Sequence, residues 1–522
     1  MRAQLQRARR WGWDRWALVP LLLLAWALRL VPILDHRFHP DEALYGYWGL
    51  LIAHGKDPWL AAVPVYKPPL LPYLIAGVQA LFGNSEFSVR LPGLAAGLMT
   101  VPLVAALAHS LYRDRWIAAA AAIGVALSPF SILFSSTAFT DPLMVTLGLG
   151  ACVAAARGRV GWAGALAGLA FATKQTGLVW APLVALLYVA NCSRYKRVSS
   201  SRLRTVGTEP VALNPKPETV WLLVICFSLV VGLTLAWDGM RVVQGAESYW
   251  RVGVTGYGGL RLIWPQELWA RLRGWVELAR YLFVSPVVNG VLLVGLVALV
   301  WSAITHRRHT RKPVVDLVLV SFLLLYSLLH WLVAFPIWDR YLLPLVPILA
   351  VLLGRTLILA ISYLQPIIGR SSFVIRRWSF VFGHLLLVIF LMLPAWNAAR
   401  SHYPIGSRND ACDSIDQVAA FLRDLPEGTV VYQHWLGWQY AYYLFDGPAY
   451  LAYWPTPAWL AQDVLAFGAA DPRYITFPSW ESSARVERAL AGVGYGLEPV
   501  LTTTRRDGTP SFTVYHIQPL PD

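Results

Sequence analysis

Charged residues are scarce in this sequence. They make up 14% of its 522 residues, where a soluble chain carries roughly 25%. Apolar residues reach 57% and the mean hydropathy is +0.50, so the scarcity of charge excludes a soluble globular protein and leaves a polytopic α-helical membrane protein. Cysteine is scarce too. Cys152, Cys192, Cys226 and Cys412 follow no metal-ligand spacing and imply no disulfide framework. No Gly-rich phosphate loop opens a helix in the C-terminal part. No internal repeat relates the two halves, and the apolar spans, Arg29 apart, carry almost no charge at their centres. A secondary transporter or lipid-carrier translocase wants both features, so it stands only as the alternative reading.

Eleven apolar runs are candidate spans: 16–34, 88–109, 116–134, 139–156, 160–173, 175–191, 219–237, 281–302, 315–335, 341–363 and 379–396. A twelfth run, 69–83, has Pro68, Pro69 and Pro72 at its start and is expected as a re-entrant or interfacial helix. Runs 160–173 and 175–191 are short, so their helices need tilt or protection by neighbours. The N-terminus is basic and then apolar without a small-residue cleavage site, so the first run is read as a retained helix.

The basic residues set the orientation. Arg2, Arg7, Arg9, Arg10 and Arg15 precede the first span. Arg113 and Arg115, then Arg157 and Arg159, the run from Arg194 to Arg204, Arg307 to Lys312, and Arg370, Arg376 and Arg377 fill alternate loops, which is the cytoplasmic pattern. The net charge of +15 is therefore a topology signal rather than a nucleic-acid-binding stripe, and no nucleic-acid partner is expected. The opposite face collects Asp41-Glu42, the turns at Asp141, Lys174 and Arg340, the loop 238–280 and the C-terminal tail. That loop holds Arg241, Arg251, Arg261, Arg271, Arg273 and Arg280, partly offset by Glu247, Glu267 and Glu277, and is a candidate to bind an anion. Arg29 lies near the outer end of the first span and could snorkel outward.

From about residue 400 the pattern changes to an alternation of helices and strands. Helices are expected over 413–425, 437–444, 457–466 and 481–492, and strands over 429–432, 449–453, 473–477, 497–504 and 511–517, with a hairpin turn at Arg506-Asp507-Gly508. This is a small α/β domain. The rings between Tyr432 and Trp459 could stack on sugars, but core and interface packing is the simpler expectation.

Five elements stand in order on the outer face: Asp41-Glu42, then Tyr66-Lys67-Pro68-Pro69-Leu70, then Asp141, then Lys174, then Arg340-Tyr341-Leu342-Leu343-Pro344. Together they resemble the polytopic glycosyltransferases of the GT-C superfold, in the branch of protein O-mannosyltransferases and aminoarabinose–lipid A transferases. The resemblance covers residues 10–350. It implies about 11 to 13 transmembrane helices, a GT-C type catalytic domain over 1–396 and an extracytoplasmic α/β domain over 397–522. It further implies transfer, with inversion, of a sugar from a polyprenyl-phosphate-linked donor to a lipid, glycan or protein hydroxyl on the extracytoplasmic face of the plasma (inner) membrane.

The resemblance also distributes roles, and each has a plainer alternative. Asp41 is the implied general base, and its alternative is a helix N-cap. Glu42 could orient the acceptor or simply favour a first helical turn. Asp141 occupies the family's second acidic position, or is a helix start with Pro142 following. Lys67, held extended by two prolines, is implied to contact the donor phosphate, as is Lys174; both could instead snorkel. Arg340, with Tyr341 beside it, is implied to hold the phosphate, unless Asp339 pairs with it structurally. The resemblance implies no cofactor. His36 and His39, with Asp41 and Glu42, are the candidate set for a divalent metal, but their spacing fits no tight zinc pattern and a metal is not favoured.

Overall fold

The computed structural model describes residues 18–190, 217–256, 261–305, 312–364, 373–406 and 410–521. The basic clusters at Arg2–Arg15, Arg194–Arg204, Arg307–Arg311 and Arg370 lie outside the described residues, as does Cys192. In chain order the first helices are α1 (Leu18–Asp35), α2 (Pro40–Ala53), α3 (Leu70–Phe82), α4 (Glu86–Tyr112), α5 (Arg115–Ala126), α6 (Pro129–Ser135), α7 (Thr140–Ala156), α8 (Val160–Thr173) and α9 (Gln175–Ala190). They are followed by α10 (Pro217–Val243), α11 (Tyr249–Gly256), α12 (Leu268–Ala279), α13 (Pro286–Thr305), α14 (Lys312–Leu332), α15 (Leu345–Leu364) and α16 (Phe373–Ala399). The tail holds α17 (Ile415–Arg423), β1 (Val430–Gln433), α18 (Gly437–Tyr443), β2 (Tyr450–Tyr453), α19 (Pro457–Phe467), β3 (Arg473–Pro478), α20 (Ala484–Ala491), β4 (Tyr495–Thr504) and β5 (Pro510–Pro519).

Among the described residues seven helices are long and apolar enough to cross a membrane: α1, α4, α10, α13, α14, α15 and α16. Helices α5 and α6, bent by 56° at their junction, make an eighth if taken as one span. The remaining expected spans fall on shorter apolar helices, α7, α8 and α9, and the proline-led run on α3.

The chain packs as two compact units, neither continuous in sequence. One comprises Met1–Ile33, Trp59–Leu71 and Arg90–Gly406; the other comprises Leu34–Pro58, Pro72–Val89 and Ser407–Asp522.

The first unit is helical. Helix α8 has only 14 residues, and its protection comes from close packing on α10. Gly164 and Gly168 stand four apart on α8. A Cβ on Gly164 would lie 2.2 Å from the Leu223 carbonyl oxygen, and one on Gly168 would lie 2.7 Å from Val230 Cβ. Only hydrogen fits there, which is how small residues let helix backbones approach in lipid. Arg29 does not snorkel: it is fully buried. Its guanidinium donates to the Val125 and Ala126 carbonyls at 3.2 and 3.1 Å and to Ser131 Oγ at 2.8 Å. Those carbonyls end α5 at the break before α6, where intrahelical donors run out, so the buried guanidinium supplies donors that the backbone lacks there.

The second unit is built on a five-stranded sheet of order β2-β1-β3-β5-β4. Strand β1 is parallel to β2 and β3, while β5 is antiparallel to β3 and β4. Side chains alternate between the faces. Val431, Phe512 and Val514 join Ile415, Val418 and Leu422 of α17 on one side. Tyr432, Ile475 and Ile517 join Leu460, Val464 and Leu490 on the other. The expected turn between β4 and β5 is present: Gly508 has φ +82°, and Arg505 N–H donates to the Thr509 carbonyl at 2.8 Å. Several of the clustered rings are core, with Trp435 set edge-on to Trp454 at 5.4 Å, whereas Tyr450 and Tyr453 are exposed.

Helix α2 belongs to this same unit and packs on α18. Phe38 meets the Tyr442 ring edge-on at 4.9 Å, and a Cβ on Gly46 would fall 2.9 Å from that ring. The acidic pair near the first span is thus carried on a helix docked to the C-terminal sheet unit.

Candidate active site

Prolines decide the conformation around Lys67. Pro68 and Pro69 hold the stretch before α3 extended, since a residue preceding proline avoids the helical region. Lys67 is 3% exposed, and its ammonium lies 5.0 Å from the centre of the Tyr66 ring. The Tyr66 carbonyl accepts a 2.8 Å hydrogen bond from Gln175 Nε2, which ties this stretch to the start of α9. Lys174 is the extended residue between α8 and α9, with φ −155° and ψ 137°. Gly177 makes that turn feasible: a Cβ there would stand 2.2 Å from the Ala170 carbonyl oxygen.

Lys174 and Asp141 meet in a buried ion pair, Nζ to Oδ1 at 2.6 Å, with side chains 3% and 2% exposed. Asp141 is not the cap of its helix. The structure makes Phe139 the N-cap of α7, with no side-chain bond, and places Asp141 in the first turn. The Lys174 ammonium also lies 4.6 Å from the Tyr341 ring centre. Neither lysine is a snorkelling surface side chain, since both are buried.

Tyr341 is fixed from its other sides. Its carbonyl accepts from Tyr326 Oη at 2.7 Å, and its ring stacks on Trp338 at 5.9 Å and 24°. Arg340 spreads its guanidinium over the rings of Trp338 and Phe139, at 4.3 and 5.1 Å. Asp339 spends its carboxylate on backbone, accepting from Arg340 N–H and Gly406 N–H at 2.8 Å each. Burial pushes its carboxyl above the usual aspartate range, against those two donors that pull it down.

Lys67, Lys174 and Tyr341 converge on one cavity of about 380 Å³. Its other walls are largely apolar, with Leu178, Val179 and Pro182 from α9, Val254 from α11, Leu329 from α14 and Phe335. Asp141 joins it through the ion pair with Lys174, and Arg340 stands next to Tyr341 in the chain without lining the cavity. The wall at α11 is held by a fully buried cation. Arg241 donates to the Leu60 carbonyl at 3.0 Å and to Asp238 Oδ1 at 3.1 Å. Asp238 in turn accepts from Ser248 Oγ and Tyr249 N–H at 2.6 and 3.0 Å, fixing the start of α11.

Arg241 serves structure, Arg251, Arg261 and Arg280 pair with Glu247, Glu267 and Glu277, and Arg271 donates to the His330, Trp331 and Val333 carbonyls at the end of α14.

In the second unit, Asp41 and Glu42 occupy the first turn of α2. Asp41 is not the N-cap; His39 is. The His39 Nδ1 accepts from Asp41 N–H at 3.1 Å, and Glu42 Oε2 accepts from His39 N–H at 3.1 Å, a reciprocal capping box with Pro40 at the first helical position. Glu42 is buried and structural in this arrangement, whereas Asp41 is partly exposed. Among the described residues no group of three His, Cys, Asp or Glu side chains is placed to hold a metal ion.

Residue-level reading missed two groups at the cavity. Gln175 and His330 both line it. A lone histidine in the apolar run Leu328-Leu329-His330-Trp331 was the available signal for the second.

Residues 66–208 match the family model described as dolichyl-phosphate-mannose-protein mannosyltransferase. An undecaprenyl phosphate-alpha-4-amino-4-deoxy-L-arabinose arabinosyl transferase 1 of Pseudomonas fluorescens is 31% identical over 115 residues, which is 21% of this chain and 20% of that protein. The chain thus spans about a fifth of the length of such relatives in their most similar stretch. A transferase 2 of the same description, also from Pseudomonas fluorescens, is 25% identical over 493 residues, 87% of this chain and 72% of the relative. Among solved structures, ArnT from Cupriavidus metallidurans bound to undecaprenyl phosphate superposes with a TM-score of 0.62 at 15% identity, covering 96% of this chain and 98% of that one. Its apo form gives 0.61 at 14% identity, covering 97% and 98%. In fold and in sequence the chain is similar to the GT-C glycosyltransferases of the aminoarabinose transferase-like type.

Proposed function

We propose that this protein is a membrane glycosyltransferase. It takes a sugar from a polyprenyl-phosphate-linked donor and places it on an acceptor hydroxyl of a lipid, glycan or protein. The reaction is assigned to the extracytoplasmic face of the plasma membrane, and it inverts the anomeric centre. The observation that carries this reading is the cavity of about 380 Å³, where two buried ammonium groups meet walls of leucine, valine, proline and phenylalanine. An amphiphile with an anionic head and a hydrocarbon tail satisfies both halves of such a lining; a polar metabolite leaves the apolar half unused. The undecaprenyl phosphate in the solved structure of similar fold, and the names of the similar transferases, support the same ligand class.

In this reading Lys67 and Lys174 hold the donor phosphate, with Tyr341 beside them and Arg340 adding charge. Asp141 positions Lys174. Asp41 is the base, on the strength of its place in the motif, and Glu42 secures the turn that presents it. The acceptor O–H gives its proton to Asp41 and its oxygen bonds the anomeric carbon. The bond from that carbon to the phosphate oxygen breaks, and its electron pair leaves with the polyprenyl phosphate. No cofactor enters the step. The transporter alternative gains nothing from Arg29, whose side chain is spent on backbone carbonyls and Ser131, nor from Arg355 in the middle of α15, which pairs with Asp316 of α14 at 3.3 Å.

The test is transfer by purified, reconstituted protein from a panel of polyprenyl-phosphate sugars, with Asp41→Asn beside wild type. The expected result is transfer by wild type and a loss of about 10²-fold or more in the variant. Equal rates would remove Asp41 as the base while keeping the enzyme. Carrier movement across the bilayer without sugar transfer would favour the translocase.

A further inference from the structure

His330 ends α14 at the cavity wall and is 3% exposed. Its Nδ1 lies 2.9 Å from the Tyr326 carbonyl oxygen. A carbonyl can only accept, so Nδ1 carries a proton and Nε2 is the free end of the ring's chemistry. The ring cannot turn to find another partner. It stacks on Tyr326 at 4.2 Å and 25°, meets Trp275 edge-on at 5.8 Å, and touches Phe335 and Tyr341 at 5.6 and 5.4 Å. Nε2 is buried and has no hydrogen-bond partner among the described residues. A buried polar atom held in that state costs stability unless a ligand completes it. The same Tyr341 ring that His330 touches carries the Lys174 ammonium on its face, so the imidazole and the ammonium flank one aromatic side chain at one cavity.

We propose that Nε2 of His330 is a third contact to the phosphate head group of the ligand held by Lys67 and Lys174. The proposal rests on the cavity's assignment to a polyprenyl phosphate. The contact needs one proton: the released polyprenyl phosphate, a monoester, can bring it on a phosphate oxygen, whereas the diester of the sugar donor carries none and takes it from a protonated imidazole. Lys67 and Lys174 supply charge without direction, since an ammonium is a point charge with rotating donors. His330, locked at Nδ1 and by four rings, supplies the direction. It fixes which phosphate oxygen faces α14 and hence which faces the sugar.

Two isosteres separate this role from a structural one. Asparagine places an amide N–H where Nδ1 sits and has nothing at Nε2; glutamine reaches the Nε2 position and leaves Nδ1 empty. Undecaprenyl phosphate binding is measured on the purified full-length protein, with undecaprenol as the probe lacking phosphate. The expected result is that H330N weakens undecaprenyl phosphate binding about tenfold or more, as loss of a hydrogen bond to a charged group does. H330Q stays within about threefold of wild type, and undecaprenol binds all three proteins alike. The reverse order, with H330N like wild type and H330Q impaired, overturns the proposal in favour of the Tyr326 contact. Equal impairment of both variants toward both probes overturns it in favour of packing. Failure of wild type to bind undecaprenyl phosphate overturns the cavity assignment itself, and this inference with it.

Discussion

Asp141 and Lys174 sit 33 residues apart in sequence and 2.6 Å apart in space, each almost fully buried. Removing one partner strands the other. Lys174→Met is expected to lower stability by about 3–5 kcal/mol, read as a drop in thermal unfolding temperature in detergent. Adding Asp141→Leu should return most of that stability but none of the transfer. Additive losses in the double variant would show that the two side chains do not act as a pair. Cys412 gives a second residue-scale test, in the C-terminal unit. Burial pushes its thiol up to about 12, so at pH 8 the thiolate is rare. Alkylation at that cysteine in the folded protein should be slow, should rise with pH as the thiolate fraction grows, and should become fast on unfolding. Rapid labelling at pH 8 without unfolding, located by peptide mass spectrometry, would contradict its burial.

At the scale of elements, the short helix α8 stands because two glycines let it lie against α10. Gly164→Leu forces the Leu223 carbonyl away and should destabilise the protein by more than a typical surface change, with a loss of about 1–3 kcal/mol or more from overpacking. Thermal stability in detergent checks it, and an unchanged midpoint would mean the helices separate at no cost. Helix α2 shows how much of an element the sequence discloses. Pro40, Asp41 and Glu42 announce a helix start, and the helix is there. The cap falls on His39 rather than Asp41, because the imidazole Nδ1 does the accepting that the sequence pattern assigns to aspartate. The strands and helices of the tail follow their expected places within a few residues, since strand alternation and helical period are local properties. The crossing count is harder to read, because α7, α8 and α9 are too short for hydropathy alone to decide.

At the scale of the whole molecule, the C-terminal sheet carries α2 in the same compact unit. A chain ended after Gly406 would leave the α2 surface at Phe38 and Gly46 without the α18 rings that cover it. The expected outcome is loss of transfer and of monodisperse protein, read by size-exclusion chromatography and the donor assay, rather than a smaller active enzyme. Retention of activity by that truncated chain would mean the acidic turn holds its shape unaided.

By itself the sequence determined the membrane class, the places of the apolar helices, the α/β character of the tail and the set of polar residues worth testing. The first three follow from composition and periodicity, so neighbours along the chain suffice to define them; the polar set follows from the resemblance of its ordered motifs to a known family. Tertiary structure alone decided the partners. It paired Lys174 with Asp141, spent Arg29 and Arg241 on backbone carbonyls, grouped α2 with the sheet, and brought His330 to the wall that Lys67 and Lys174 share. Those choices rest on which buried donor meets which acceptor across distant segments, and no local pattern encodes that.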